Sequence, residues 1–327
     1  MQVHQQIEQL NAFSNAVVTI GTFDGVHTGH QRILEQLKAE SKKIDGESVL
    51  ITFDPHPRKV LDPTRPPKLI NTLDEKIELL QEQGIDHLVI VPFTLQFAAL
   101  TAEEYIQDFL VNKFHPHTVI IGYDHRFGHD RVGDYHMMES FATKMGFQLK
   151  EIPEHIVDSI IVSSTKIREA IKLGDIEIAN DLLGYDFFFQ GTIIEGNKLG
   201  RKLGFPTANL QVHNPDKLIP GHGVYAVTAT LNGQHYEGMM NIGIRPTLTD
   251  GLFMIEVNLF NFDEEVYGNE LRVHVKKFMR PEIKFNGLEA LKQQIAKDKV
   301  DVLAALARQE PRTKIQDPNK HEEPNSK

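Results

Sequence analysis

The chain has 327 residues, and its 35 Lys+Arg against 45 Asp+Glu give a formal net charge of -10. Roughly 100–200 residues per domain makes two domains the expectation, and 40% hydrophobic with 24% charged residues excludes a chain disordered throughout. Cys is absent, the opening MQVHQQIEQL lacks the basic and apolar regions of a signal peptide, and no apolar run approaches the ~20 residues of a spanning helix. These features exclude disulfides, thiolate metal sites and helical membrane spans, and they make a reducing cytoplasm the expected compartment. An acidic balance argues against general nucleic-acid binding, yet leaves room for a small anionic ligand in a locally positive pocket.

From the amino terminus, VVTI (Val17–Ile20), SVLITF (Ser48–Phe53), HLVIVPF (His87–Phe93) and TVIIG (Thr118–Gly122) are short, β-branched, apolar runs with little alternation. Strands buried on both faces have this texture. Helix-length segments stand between them at Gln31–Glu40, Leu73–Gly84 and Ala102–Phe114. The alternation predicts an α/β domain over residues 1–185, built on a parallel sheet with ligands beyond the carboxyl ends of its strands. After about Tyr185 glycine becomes frequent, and period-two alternation appears in IEVNLFNF (Ile255–Phe262) and LRVHVKKF (Leu271–Phe278). Residues 186–308 therefore read as a small antiparallel barrel or sandwich closed by an amphipathic helix over Leu288–Arg308. Residues 309–327 are polar with three Pro and read as a disordered tail.

The string GTFDGVHTGH (Gly21–His30) follows the first apolar strand and leads into a helix. Its glycines allow a tight turn and close approach of the backbone to a ligand. A helix start offers unpaired N–H groups and a positive dipole end to phosphate. With Thr28 opening the helix, His27 and His30 lie three apart and project from one side. Two imidazoles there can donate hydrogen bonds to a triphosphate. A cap or surface pair is the plainer alternative, and metal binding lacks an evident third ligand. VSSTKIR (Val162–Arg168) opens another helix, Lys166–Leu173, with three hydroxyl residues and the cations Lys166 and Arg168. Taken alone, that segment suits a plain N-cap as well as a phosphate.

In the second half, GRKLGFPTAN (Gly200–Asn209) combines glycines, cations and a Pro-Thr-Ala-Asn turn. Across Glu195–Lys217, Lys198, Arg201, Lys202 and Lys217 oppose Glu195 and Asp216, a local +2 in an acidic chain. Thr207 and Asn209 offer oxygen ligands to Mg²⁺, although an ordinary Gly-rich hairpin accounts for the same residues. In IEVNLFNF, Ile255, Val257 and Leu259 face one way and Glu256 and Asn258 the other. Plain exposure is the ordinary reading of such a glutamate.

Two sets of strings carry a family resemblance. HTGH (His27–His30) with the distant SSTKIR (Ser163–Arg168) is similar to the nucleotidyltransferase superfamily that transfers AMP or CMP to a phosphate. GTFDGVHTGH, TFDPHPRKVL (Thr52–Leu61) and GYDHRFGHDRVGD (Gly122–Asp134) narrow this to the FMN adenylyltransferase domain of bacterial FAD synthetase. PTAN (Pro206–Asn209), PGHGVYAV (Pro220–Val227), NIGIRPT (Asn241–Thr247) and Glu256 resemble the riboflavin kinase domain. The resemblance implies a Rossmann-like nucleotidyltransferase domain followed by a six-stranded antiparallel barrel and a C-terminal helix. It further implies that ATP converts riboflavin to FMN, and a second ATP converts FMN to FAD and pyrophosphate, both steps with Mg²⁺.

The two reactions make different demands. An FMN phosphate is already ionised, so adenylyl transfer needs alignment and charge neutralisation rather than a base. A riboflavin hydroxyl is a weak acid, and a carboxylate helps orient and deprotonate it. By resemblance, His27 and His30 stabilise the adenylyl transition state, while Gly21, Phe23, Asp24, Ser164, Thr165 and Arg168 hold ATP. Pro57, Asp124 and Phe127 meet the flavin side, where the family commonly has an aromatic residue in place of His125. In the kinase half the resemblance assigns Glu256 as base, Thr207 and Asn209 to Mg²⁺ and nucleotide, Gly200 to the phosphates and Arg280 to the flavin end. The implied partners are small molecules only, with homo-oligomerisation left open. A pantetheine-phosphate or cytidylyl transferase shares HTGH but not the PTAN barrel, and a non-catalytic flavin carrier would not need these polar residues.

Overall fold

The computed structural model describes residues 1–122, 125–152, 163–196, 199–244 and 253–308. The chain divides into two compact units. The first is Met1–Arg168 with Asp216–Leu218, and the second is Glu169–Pro215 with the residues from Ile219 onward. Each holds its own sheet.

The first unit is a six-stranded parallel sheet of β1 (Gln2–His4), β2 (Val17–Ile20), β3 (Ser48–Asp54), β4 (His87–Pro92), β5 (Thr118–Gly122) and β6 (Gln148–Ile152), in the order β1-β4-β3-β2-β5-β6. All four residues of β2 are buried, as are the first six of β3. That is why these runs lack alternation: in a covered parallel sheet both faces are core. From β2 the chain steps outward through β3 to β4 and then returns to the other side of β2 for β5. The carboxyl ends of β2 and β5 therefore flank the point where strand order reverses, where α/β sheets bind ligands.

Helix α1 (Thr28–Lys43) follows β2, α2 (Pro57–Leu61) follows β3, and α3 (Leu73–Glu82) starts at a capping box made by Thr72 and Glu75. α4 (Leu95–Ala98) follows β4. The predicted helix Ala102–Phe114 is not uniform. A π-helical run, Tyr105–Val111, stands between α5 (Ala102–Glu104) and α6 (Asn112–Phe114), and it buries Tyr105, Ile106, Phe109 and Leu110. The wider winding turns three large side chains and Ile106 into one core with Phe53, Phe114 and Phe127. α7 (Tyr135–Met145), the short edge strand β1 and the amphiphilic β6 were not predicted.

The second unit opens with the last part of α8 (Ser164–Leu173) and α9 (Ile176–Leu183). Its barrel closes in the order β10-β11-β8-β7-β12-β9, with every neighbouring pair antiparallel. The strands are β7 (Phe188–Ile194), β8 (Ala208–Gln211), β9 (Gly223–Leu231), β10 (Gln234–Ile244), β11 (Phe253–Leu259) and β12 (Glu270–Arg280), with the short α10 (Leu199–Leu203) before β8. α11 (Leu288–Ala307) packs Val302 and Leu306 on Ala226, Met239 and Phe260. α9 belongs to this unit through Asn180, whose Nδ2 donates to Val275 O at 2.9 Å and whose Oδ1 accepts from Phe187 N at 2.8 Å. No helix among the described residues is long and apolar enough to cross a membrane.

Candidate functional sites

In the first unit the loop after β2 delivers the chain to His27, the N-cap of α1. His27 Nδ1 accepts from the His30 backbone N–H at 3.3 Å. The proton of the neutral ring is therefore assigned to Nε2, which becomes the available donor. The two imidazoles stack with centroids 3.7 Å apart, and Phe23 stacks on His30 at 4.5 Å. Burial lowers the pKa of His27 to about 4, with Asp24 opposing and Arg168 adding to the depression. Burial, then His27 and Lys76, hold His30 well below the ordinary imidazole value. Both rings are neutral at pH 7 and can donate a hydrogen bond without supplying net charge. The buried His30 Nδ1 has no protein partner among the described residues.

Asp24, at 1% exposure, holds the loop together. Its carboxylate accepts from Ile70 N at 3.1 Å and Asn71 N at 3.3 Å, and pairs with the Arg168 guanidinium. Arg168 Nε also donates to Lys68 O, and Ser164 Oγ donates to the Asp24 carbonyl at 2.9 Å. The predicted loop and the distant Ser-Ser-Thr helix thus meet at one aspartate, across 140 residues of sequence. Thr165 is exposed beside them.

These residues border a cavity of about 790 Å³, within the range of pockets that enclose whole ligands. Gly21, Ser164, Thr165 and Arg168 line it together with Pro57 and Phe127, so residues predicted for ATP and for flavin share one hollow. Phe53, Phe93, Phe97 and Tyr105 supply apolar wall. Four arginines, Arg58, Arg126, Arg131 and Arg168, face one acid, Asp130, which makes the lining positive in a chain of net charge -10. Phe127 is 4% exposed and stacked on Tyr105 at 5.1 Å, so it is held as a wall. Phe23, Asp24, His27 and His30 are not among the lining residues; they lie beneath, where the loop is packed. Asp124 lies outside the described residues.

In the second unit the strand register builds the site. Asn209 on β8 pairs with Glu256 on β11, and Glu256 pairs with Asn241 on β10. Directly paired residues project to the same face. The row continues through Val224 on β9 to Arg280 on β12. Met239, in the alternate position from Asn241, lies under α11, so this row is on the outer face of the barrel. Glu256 is half-buried, and Asn258, of the same parity, is buried with its Nδ2 donating to Pro206 O at 2.6 Å. The alternation was legible, but plain exposure does not describe it.

Thr207 immediately precedes β8, two residues from Asn209. A Cβ on Gly196 would fall 2.1 Å from the Asn209 amide, and one on Gly200 2.3 Å from Phe205 O and 3.2 Å from Thr207 Oγ1. The chain can approach Thr207 and Asn209 this closely only with glycine at both positions. Neutral oxygen donors beside a carboxylate suit a hard cation that keeps waters and phosphate oxygens in its shell. A hollow of about 50 Å³ touches Thr207 and Arg201, with room for water and not for a nucleotide. Arg201 pairs with Glu265 at 2.6 Å. Arg280 makes two bonds to Asp298 on α11, at 2.9 and 2.6 Å, and a third to Pro281 O.

The local +2 is unchanged when its last two charges, one of each sign, are set apart. Lys217 and Asp216 belong to the first unit, where Lys217 pairs with Glu75 at 2.6 Å and donates to Ile70 O. Of the other counted cations, Lys198 and the Lys202 side chain lie outside the described residues. Two residues of interest were missed. His56, at the N-cap of α2, lines the cavity and is lowered to about 4, chiefly by burial. Lys76 on α3 is buried, with its Nζ donating to Thr22 O at 2.8 Å. Its position on the apolar stripe with Leu79 and Leu80 was the available signal.

Two family models match the chain, one described as FAD synthetase over residues 9–166 and one as riboflavin kinase over residues 183–306. The chain is similar to the bifunctional riboflavin kinase/FMN adenylyltransferase of Listeria monocytogenes, at 39% identity over 90% of this chain and 94% of the relative. The protein of the same description from Bacillus subtilis is 37% identical over 92% and 95%. A crystal structure described as a macrolide-efflux protein from Streptococcus pneumoniae superposes with a TM-score of 0.82 at 28% identity, covering 92% of this chain and 98% of that one.

Proposed function

The chain belongs to the family of bifunctional riboflavin kinase/FMN adenylyltransferases, and on that premise we propose which of its residues carry each reaction. The enzyme phosphorylates riboflavin with ATP to FMN and adenylylates FMN with ATP to FAD and pyrophosphate.

Adenylyl transfer is assigned to the cavity of the first unit, whose lining residues all fall within 21–168. ATP phosphates lie against Gly21, Ser164, Thr165 and Arg168, and Pro57 and Phe127 bound the flavin side. His27 and His30 act as neutral donors: Nε2–H of His27 is free to bond an oxygen that gains charge as the pyrophosphate leaves. Phe23 and Asp24 act through the loop: Phe23 stacks on His30, and Asp24 ties the loop to Arg168 and to the Ile70 and Asn71 backbone. The observation that supports this reading is the single hollow shared by the Ser-Ser-Thr helix, the loop after β2 and the Asp54-Pro55-His56-Pro57 turn.

Riboflavin phosphorylation is assigned to the outer face of the barrel in residues 186–308. Glu256 is the base, flanked in register by Asn209 and Asn241. Mg²⁺ would be held at Thr207 and Asn209, where it would neutralise phosphate charge, with Gly200 bordering the phosphates. Arg280 acts from its bidentate bond to Asp298, which orients its guanidinium along the same row. The cytoplasm is the compartment proposed, on the absence of Cys from the sequence. Incubation with riboflavin and Mg-ATP, followed by chromatography for FMN and FAD, tests the assignment when repeated on Ser164→Ala and Glu256→Gln. Ser164→Ala should stop the sequence at FMN, and Glu256→Gln should yield FAD only when FMN is supplied.

A further inference from the structure

Two lysines are buried in the first unit, and they are held differently. Lys217, 3% exposed, has a carboxylate partner in Glu75, itself 2% exposed. Lys76, 7% exposed, makes no ion pair among the described residues. Its hydrogen bond goes to a neutral acceptor, the Thr22 carbonyl. Asp24, one of the two carboxylates acting on it, is already committed to Arg168 and two backbone N–H groups, and the other, Asp54, is exposed. A buried ammonium without an ion-pair partner is costly, and burial accordingly draws the Lys76 pKa down.

That cost is met where negative charge arrives. Thr22, the residue Lys76 grips, lines the 790 Å³ cavity beside Gly21. The imidazoles of the same loop are neutral at pH 7, and Arg168 spends part of its charge on Asp24. Phosphates entering the cavity therefore lack a full counter-charge from the predicted residues alone. Lys76 also acts on His30, whose Nδ1 is buried and unpartnered.

We propose that Lys76 is a positioning residue of the adenylyl-transfer site, holding the loop after β2 by the Thr22 carbonyl and placing a positive charge beneath the phosphates. The inference rests on the assignment of adenylyl transfer to this cavity. Asp24 and Asp54 act on this charge, but among the described residues neither forms an ion pair with it, and nucleotide phosphates would add to their compensation.

The test is Lys76→Met, an apolar replacement of similar length, with Lys76→Arg and Ser164→Ala as companions, all in the full chain. Expected for Lys76→Met is a fall of about tenfold or more in kcat for FMN adenylylation, the scale of one missing transition-state charge interaction. Riboflavin phosphorylation by the same preparation should stay within about twofold, and Tm should hold or rise because a buried charge has gone. Around His30 the facing groups are His27, Lys76 and the Phe23 ring, so removing the cation should also shift the acid limb of the adenylylation pH profile upward. Lys76→Arg should restore part of kcat. The proposal is overturned if Lys76→Met keeps adenylylation within twofold, or if activity and Tm fall together, which is the signature of a purely structural lysine. Ser164→Ala separates the premises: full adenylylation there refutes the cavity assignment itself, whereas its loss beside an active Lys76→Met refutes only the role of Lys76.

Discussion

The two units solve phosphoryl chemistry in opposite ways. The parallel-sheet unit encloses a positive hollow and keeps two histidines of the adjoining loop, His27 and His30, neutral. The barrel sets a carboxylate on an outer face between two asparagines. The contrast follows the nucleophile. An ionised phosphate needs placement and charge, which a pocket supplies, whereas an alcohol needs an acceptor for its proton, the part proposed for Glu256.

The comparison is broken most sharply at Glu256. Glu256→Gln should reduce riboflavin phosphorylation by roughly 10²–10⁴-fold, the usual contribution of a general base, and leave FMN adenylylation within about twofold. Equal loss of both rates would merge the two sites. Next in size is His27→Ala, for which initial rates should show adenylylation down by about 10²-fold with the kinase rate unchanged, as for loss of one preorganised donor. An unaltered adenylylation rate would leave the stacked histidines without a catalytic part.

Truncation sharpens the boundary between the units. A fragment of residues 169–308 should be more stable than 186–308, because the shorter one loses Asn180 and strands Val275 O and Phe187 N. Unsatisfied buried groups cost about 1–3 kcal/mol each, a difference readable in urea midpoints, while both fragments should phosphorylate riboflavin.

The smallest expected effect is in pH dependence. His27 and His56 sit at about 4 in the folded state, and His4 and His30 are also lowered, while the barrel has His274 at about 4. An unfolded histidine titrates near 6.5. Between roughly pH 6.5 and 4 the unfolded chain binds protons that the folded protein refuses, so stability present at neutral pH is lost as pH falls through that window. Calorimetry at pH 7 and pH 5 should show the parallel-sheet transition falling further than the barrel transition.

Legibility in the sequence tracked how local the cause was. VVTI and SVLITF could be read as buried strands because their texture is a direct consequence of burial on both faces. The π-helical run at Tyr105–Val111 could not, since its winding answers to a shared aromatic core. The role of Glu256 came from resemblance, because an acidic residue in an alternating strand is ordinarily solvent-facing; its flanking by Asn209 and Asn241 is a fact of register. Lys76 gave only a faint signal, a lysine on the apolar stripe of its helix, because its bond to the Thr22 carbonyl is a fact of packing.

From the residues alone came the class of each half, the helix-length segments Gln31–Glu40 and Leu73–Gly84, and the turn chemistry of Gly200–Asn209. Folding decided which distant pieces share a charge: that Ser164 and Arg168 close on Asp24, that Lys217 serves the first unit, and that Lys76 is buried against the Thr22 carbonyl. The reason is range. Propensity and periodicity act over a few residues, whereas burial and Coulomb interaction depend on proximity in space, which only the packed chain specifies.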